Sequence, residues 1–125
     1  MAAAPMSGFR LRARLASFRY AFAGLHTMLR TQHNAWVHVA ATALVTLLGW
    51  IVGLSAADWK WLVATITIVW FAEAMNTAFE YLCDVVSPDH NDAVRHAKDI
   101  AAAAVLLCAM GAVVMGALIF GPYLS

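Results

Sequence analysis

The sequence predicts an all-α membrane protein: an amino-terminal amphipathic helix lying on the membrane surface, followed by three transmembrane helices. Three observations carry that expectation. Of 125 residues, 63% are hydrophobic and only 12% charged, against roughly 25% charged in soluble domains, and so short a chain has no soluble interior able to bury that much apolar surface. Uncharged apolar runs recur along the chain, each close to the ~20 residues needed to cross hydrocarbon. Arg10, Arg12, Arg14, Arg19 and Arg30 all precede the first run, an asymmetry that orients membrane proteins. The net charge of +1 gives no reason to expect a nucleic-acid partner.

Residues 1–9 are expected to form a flexible, uncleaved tail, because Met1 to Ser7 lacks the apolar stretch of a signal peptide. Over 10–31, apolar residues recur at Leu11, Leu15, Phe18, Phe22, Leu25 and Leu29, in steps of four and three. That is the spacing of one helical face. Arg12, Arg19 and Arg30 flank the stripe, which suits a helix lying in the membrane interface with its arginines at the headgroups. The alternative is a helix packed on a protein core with solvated arginines, a poorer fit to a chain this apolar.

From 35 to 54 the only ionisable side chain is His38, and this run is the first predicted span. His38, near its start, reads as an interfacial or packed histidine rather than a metal ligand. The link Ser55-Ala56-Ala57-Asp58 is short, and its Ser or Asp oxygen can accept the free amide hydrogens of a following helix. An antiparallel hairpin should result. The second helix, 59–86, is long enough at ~1.5 Å per residue to cross the bilayer and protrude, and Ser87-Pro88-Asp89 ends it. Trp36, Trp50, Trp59 and Trp61 fall where interfacial aromatic belts belong; Trp70 does not. A third span is expected over 92–121, entered through the polar turn Asp89 to Asp99 and uncharged from Ile100 to Phe120. Its small residues, among them Gly111, Ala112, Gly116 and Ala117, allow close helix packing, within or between subunits. Residues 10–121 make a single membrane domain, and 122–125 a short tail. Cys83 and Cys108 lie in apolar stretches, without a neighbouring His/Cys cluster, and read as small buried hydrophobes.

The arginine bias puts the amino terminus in the cytoplasm, so the Asp89 to Asp99 turn returns to the same side. One polar stripe breaks the apolar pattern. Glu73, Asn76, Glu80 and Asp84 are spaced three, four and four apart, which aligns them on one helix face. Glu80, Asp84, Lys98 and Asp99 then converge at the cytoplasmic edge, with Glu73 and Asn76 up to two turns deeper. Polar groups at that depth are costly and are functional candidates. Carboxylates beside a lysine at a membrane edge fit a Mg²⁺-nucleotide site, since hard cations share oxygen ligands with phosphates and lysine balances phosphate charge. Neither a GxxxxGK[ST] motif nor a kinase-type glycine loop is present, so such a site uses another architecture. The deeper Glu73 is either a general base toward a lipid hydroxyl or a carboxylate paired with Arg or Lys to fix helix packing.

These residues resemble the small prokaryotic diacylglycerol kinases and their undecaprenol kinase relatives. The family's E-x-x-N-[ST]-A-x-E-x-x-x-D motif is matched by Glu73, Asn76, Thr77, Ala78, Glu80 and Asp84. Ala97-Lys98-Asp99 follows Ser87-Pro88 at the expected distance, and Ser17-Phe18-Arg19-Tyr20, Gly24-Leu25, Asn34 and His38 extend the match over about residues 17 to 120. The resemblance implies a homotrimer in a bacterial inner membrane, with ATP-side active sites shared between neighbouring subunits. It implies Glu73 as the base, Glu73 and Asn76 at the lipid alcohol, and Glu80 on Mg²⁺. It further implies Tyr20, Glu80, Asp84, Asp89, His90, Asn91, Lys98 and Asp99 around the nucleotide. One departure matters. Where the family has a glutamate as second metal ligand, in a T-E-x-N context, this chain has Gln32 in Thr31-Gln32-His33-Asn34, offering the metal only a neutral carbonyl oxygen. Phe79 and Cys83 stand where the family prefers aliphatic residues, and Ala13 where it has a ligand-contacting arginine, with Arg12 and Arg14 beside it.

The expected activity is transfer of the ATP γ-phosphate to the hydroxyl of diacylglycerol, giving phosphatidic acid. Undecaprenol is the alternative acceptor in the same family. A non-catalytic lipid-binding protein disabled at Gln32 is a rival from another class, and the joint presence of Glu73, Asn76, Glu80, Lys98 and Asp99 weighs against it. A cation pathway through Glu73 is the third reading, with too few relay groups to support it.

Overall fold

The computed structural model describes residues 8–125; the tail expected from Met1 to Ser7 lies outside them. Among the described residues there are four helices: α1 (Leu11–Thr31), α2 (His33–Val52), α3 (Ala56–Val86) and α4 (Asp92–Leu124). The last three are long and apolar enough to cross a membrane.

Each boundary has a local cause. α1 and α2 are separated by Gln32 alone, in extended conformation at φ −115° and ψ 115°, so α2 begins two residues before the predicted 35. α2 stops at Gly53, whose left-handed φ of 70° is strained for any residue with a Cβ. The Leu54 amide then bonds back to the Gly49 carbonyl at 3.1 Å, closing the helix end in a Schellman-type turn. Ser55 caps α3, its Oγ accepting from the Asp58 amide at 3.2 Å, and this cap starts α3 at Ala56 rather than at 59. α4 is capped by Asn91, whose Oδ1 accepts from the Ala93 and Val94 amides. It runs to Leu124, through Pro122, rather than stopping at 121. A proline so near a helix end removes only one intrahelical bond, and the last turn is tied down by Tyr123.

That tie is a polar knot at one end of the molecule. The Tyr123 hydroxyl donates to Asp58 Oδ2 at 2.6 Å and accepts from the Ser55 amide at 3.0 Å. Beside it Leu54, Leu62, Ile119 and Phe120 form the buried apolar core, with Trp59 and Leu48 packed against them. Trp59 is therefore part of this core, closing over Gly49, and does not face outward as an aromatic belt would. Trp36, Trp50 and Trp61 are exposed. Tyr123→Phe is expected to lower stability by about 1–2 kcal/mol, because it leaves Asp58 and the Ser55 amide each short of a partner. The midpoint of thermal unfolding in detergent micelles measures this.

α3 and α4 form the most extensive helix pair. At the opposite end Lys98 Nζ reaches Asp84 Oδ1 at 2.6 Å. The two links, Asp58–Tyr123 and Asp84–Lys98, fix an antiparallel register. On α3, Asp58 and Asp84 are about 39 Å apart along the axis at ~1.5 Å per residue, more than the ~30 Å hydrocarbon thickness. Both polar links can therefore sit in opposite interfaces while the apolar length between them spans.

Candidate active site

α3 carries the polar stripe, and the structure divides it by burial. Glu73 is fully buried at 0% exposure, and Asn76 and Thr77 are buried beside it. Glu80 is half-buried and Asp84 exposed. α3 can hide the deep residues because α1 and α2 meet it there: Met28 at the end of α1 and Ala35 at the start of α2 are both buried. A buried polar atom without a partner costs about 1–3 kcal/mol. Glu73 Oε1, Asn76 Oδ1 and Thr77 Oγ1 are three such atoms. They are neighbours on α3, so the unpartnered oxygens are clustered at one level of the helix rather than scattered.

The other Glu73 oxygen is engaged. His38 Nε2 lies 3.3 Å from Oε2, so the carboxylate that could have paired with Arg or Lys pairs with a histidine. His38 is indeed packed: its ring meets Trp70 edge to face, with centroids 6.0 Å apart and planes at 61°. Trp70 Nε1–H in turn donates to Thr42 Oγ1 at 3.0 Å. This accounts for Trp70, whose place in the sequence fits no interfacial belt.

The His38–Glu73 and Thr42–Trp70 contacts set the register of α2 against α3. Going back along α2 matches going forward along α3, so Ala35 comes level with Asn76, and Gln32 level with Phe79 and Glu80. Gln32 is half-buried, and its side chain is not used to cap α2. The pair predicted to hold the metal therefore shares one level, about two turns from Glu73 at ~1.5 Å per residue.

The remaining predicted residues, Tyr20 excepted, lie at the Asp84 end of α3, in the turn that follows it and early in α4. Lys98 is bonded to Asp84. Asp99 is exposed. In the α3–α4 turn, Asn91 spends its amide oxygen on the α4 cap, and His90 Nε2 lies 3.0 Å from Asp92 Oδ1. The Asp89 carbonyl accepts from Ser87 Oγ. These contacts shape the turn, leaving the Asp89 carboxylate and the Asn91 amide nitrogen outside them. Tyr20 is exposed on α1, with the Arg19 guanidinium 6.0 Å from its ring centre. The structure thus joins Asp84 to Lys98 and brings Glu73, Asn76 and Thr77 together, while Tyr20 and Asp99 have no contact that ties them to either group.

Thr77 and His38 are nearer to Glu73 than sequence reasoning expects, Thr77 buried beside it and His38 paired with it. Folding the chain back at the short turn 53–55 puts His38 opposite Glu73, since the two are nearly equidistant from it. Among the described residues no three His, Cys, Asp or Glu side chains gather into a metal-binding group.

The family model described as prokaryotic diacylglycerol kinase matches residues 19–120. An undecaprenol kinase of Bacillus subtilis (strain 168) is 35% identical over 108 residues, covering 86% of this chain and 88% of the relative. A diacylglycerol kinase of Synechocystis sp. is 37% identical over 113 residues, covering 89% of this chain and 65% of the relative. The matched stretch begins within α1, ends near the end of α4 and takes in the whole polar stripe together with Gln32, His38 and Lys98. The chain belongs to the prokaryotic diacylglycerol kinase family.

Proposed function

We propose that this protein is an integral membrane lipid kinase that transfers the ATP γ-phosphate to the hydroxyl of diacylglycerol, giving phosphatidic acid. The observation that carries the reading is the fully buried Glu73, with one oxygen held by His38 and the other free beside Asn76 Oδ1 and Thr77 Oγ1. A second acceptor, undecaprenol, is favoured by the Bacillus subtilis relative, which matches this chain over most of both lengths.

In the reaction, the acceptor's O–H bond breaks as Glu73 Oε1 takes the proton. The alcohol oxygen bonds to the γ-phosphorus, and the bond from that phosphorus to the β-γ bridging oxygen breaks, releasing ADP. Phosphoryl transfer of this kind rests on positioning and charge neutralisation. Asn76 holds the acceptor beside Glu73. Lys98 meets the phosphates, with Asp84, Asp99, Tyr20 and the Asp89 to Asn91 turn around the nucleotide. Glu80 and Gln32 form a hard-oxygen donor pair at one level, a set that fits Mg²⁺, which keeps waters and phosphate oxygens as its other ligands. Mg²⁺ bound there with ATP would neutralise phosphate charge. Gln32→Glu supplies a second carboxylate and is expected to lower the Mg²⁺ concentration for half-maximal activity; an unchanged titration would remove Gln32 from the metal.

The exposed apolar stripe of α1, Leu11, Leu15, Phe18, Phe22 and Leu25, supports a helix lying in the membrane interface. The arginines ahead of α2 support a cytoplasmic amino terminus and a cytoplasmic ATP end in a bacterial inner membrane. Residues 10–121 then act as one membrane domain, and we infer a homotrimer with shared active sites from the family resemblance. Phosphate transfer from radiolabelled ATP to diacylglycerol or to undecaprenol in mixed micelles tests the function and names the acceptor. Labelling of neither lipid would leave a non-catalytic lipid-binding protein.

A further inference from the structure

We propose that His38 is the positioning residue for Glu73: its Nε2–H holds Oε2 so that Oε1 is the oxygen presented to the acceptor hydroxyl. The inference rests on the reading of Glu73 as the base. It begins from an asymmetry in how the carboxylate is satisfied. Glu73 is fully buried, yet among the described residues it has no Arg or Lys partner, and only one of its two oxygens is hydrogen-bonded. A carboxylate with one anchored and one free oxygen has a defined orientation about its last torsion; without an anchor that torsion is broad.

The anchor is itself held. His38 has a side chain only 13% exposed, and its ring is set by the edge-to-face contact with Trp70, whose Nε1–H is fixed on Thr42. His38 and Thr42 are one turn apart on α2, and Trp70 and Glu73 about one turn apart on the facing side of α3. The four side chains therefore form a chain of three contacts between the two helices, Glu73 to His38 to Trp70 to Thr42, and none can shift alone without breaking one. An orienting group placed on rigid elements is the arrangement that keeps a reacting atom in place.

A base must be ionised before it acts, and an ionised carboxylate only accepts, so the proposed anchor requires the His38 tautomer with its hydrogen on Nε2. When Oε1 takes the acceptor's proton, Oε2 still accepts from Nε2–H. The anchor survives the step, and His38 need neither gain nor lose a proton. Its contribution is to geometry at the acceptor. ATP contacts, two or more turns away toward Asp84 and Lys98, should not feel it.

Three single variants, His38→Gln, His38→Leu and Glu73→Gln, test this in mixed micelles, with kcat and the KM for ATP measured for each. Gln carries an N–H near the place of Nε2; Leu fills the volume without a donor. His38→Leu should lose on the order of ten- to hundredfold in kcat, by analogy with the loss when the partner that orients a metal-ligating side chain is removed, with an unchanged KM for ATP. His38→Gln should recover most of that loss. In a Glu73→Gln background, adding His38→Leu should cost little more, because no base is left to orient. A His38→Leu enzyme with wild-type kcat, or a His38→Gln enzyme no better than a folded His38→Leu one, would overturn the proposal while leaving Glu73 as the base. Wild-type activity in Glu73→Gln would overturn the base assignment and the proposal with it.

Discussion

Glu73→Gln is expected to lower kcat by about 10²–10⁴-fold, the range that a positioned general base contributes, with little change in stability or in the KM for ATP. The amide has nearly the same volume as the carboxylate and keeps an oxygen that can accept from His38, so the contact at 3.3 Å between α2 and α3 survives. What it loses is the capacity to take a proton. Two readings of Glu73 therefore separate cleanly. A carboxylate that only fixed helix packing would be replaced well by the amide, and activity would stay near normal. A base cannot be replaced in this way. Glu73→Asp should fall between them, since it keeps the proton acceptor but withdraws it from the orphaned oxygens of Asn76 and Thr77. Steady-state kinetics on the purified enzyme in mixed micelles, with unfolding midpoints alongside, decides the matter.

The helices were legible because each obeys a local rule. The long apolar runs, the Ser55 cap and the break at Ser87-Pro88 needed no tertiary information; α1 ends at Thr31 and α3 at Val86, just before that break. Two differences have tertiary causes: α4 passes Pro122 because Tyr123 is anchored to Asp58 and Ser55, and Trp59 turns inward because Gly49 leaves room for it. The polar stripe was legible too, as helical spacing alone puts Glu73, Asn76, Glu80 and Asp84 on one face. The partner of Glu73 was not. A lone histidine in an apolar run looks like packing, and only the register between α2 and α3 brings its ring to the carboxylate. The turn around Asn91 shows the converse, since the residue expected near the nucleotide gives its side-chain oxygen to the α4 cap.

Lys98→Ala should cost about 10²–10³-fold in kcat/KM for ATP, comparable to removing one group that stabilises transition-state charge in other enzymes, while leaving the unfolding midpoint nearly unchanged. The second half of that expectation follows from exposure. The Lys98–Asp84 contact is short at 2.6 Å, but Asp84 is largely solvated, and exposed ion pairs contribute little to stability. Such a pair is well suited to be exchanged. Under the proposed function Lys98 would pass from the Asp84 carboxylate to a phosphate, which carries more charge and more acceptor oxygens. Asp84→Asn should accordingly be far milder than Lys98→Ala, because it removes the resting partner and leaves the phosphate ligand. Lys98→Arg, with the charge retained in a different shape, should be intermediate. If Lys98→Ala instead kept the wild-type kcat/KM for ATP, the lysine would be no more than a solvated link between α3 and α4. The phosphate charge would then have to be balanced by a metal at the proposed Glu80 and Gln32 pair.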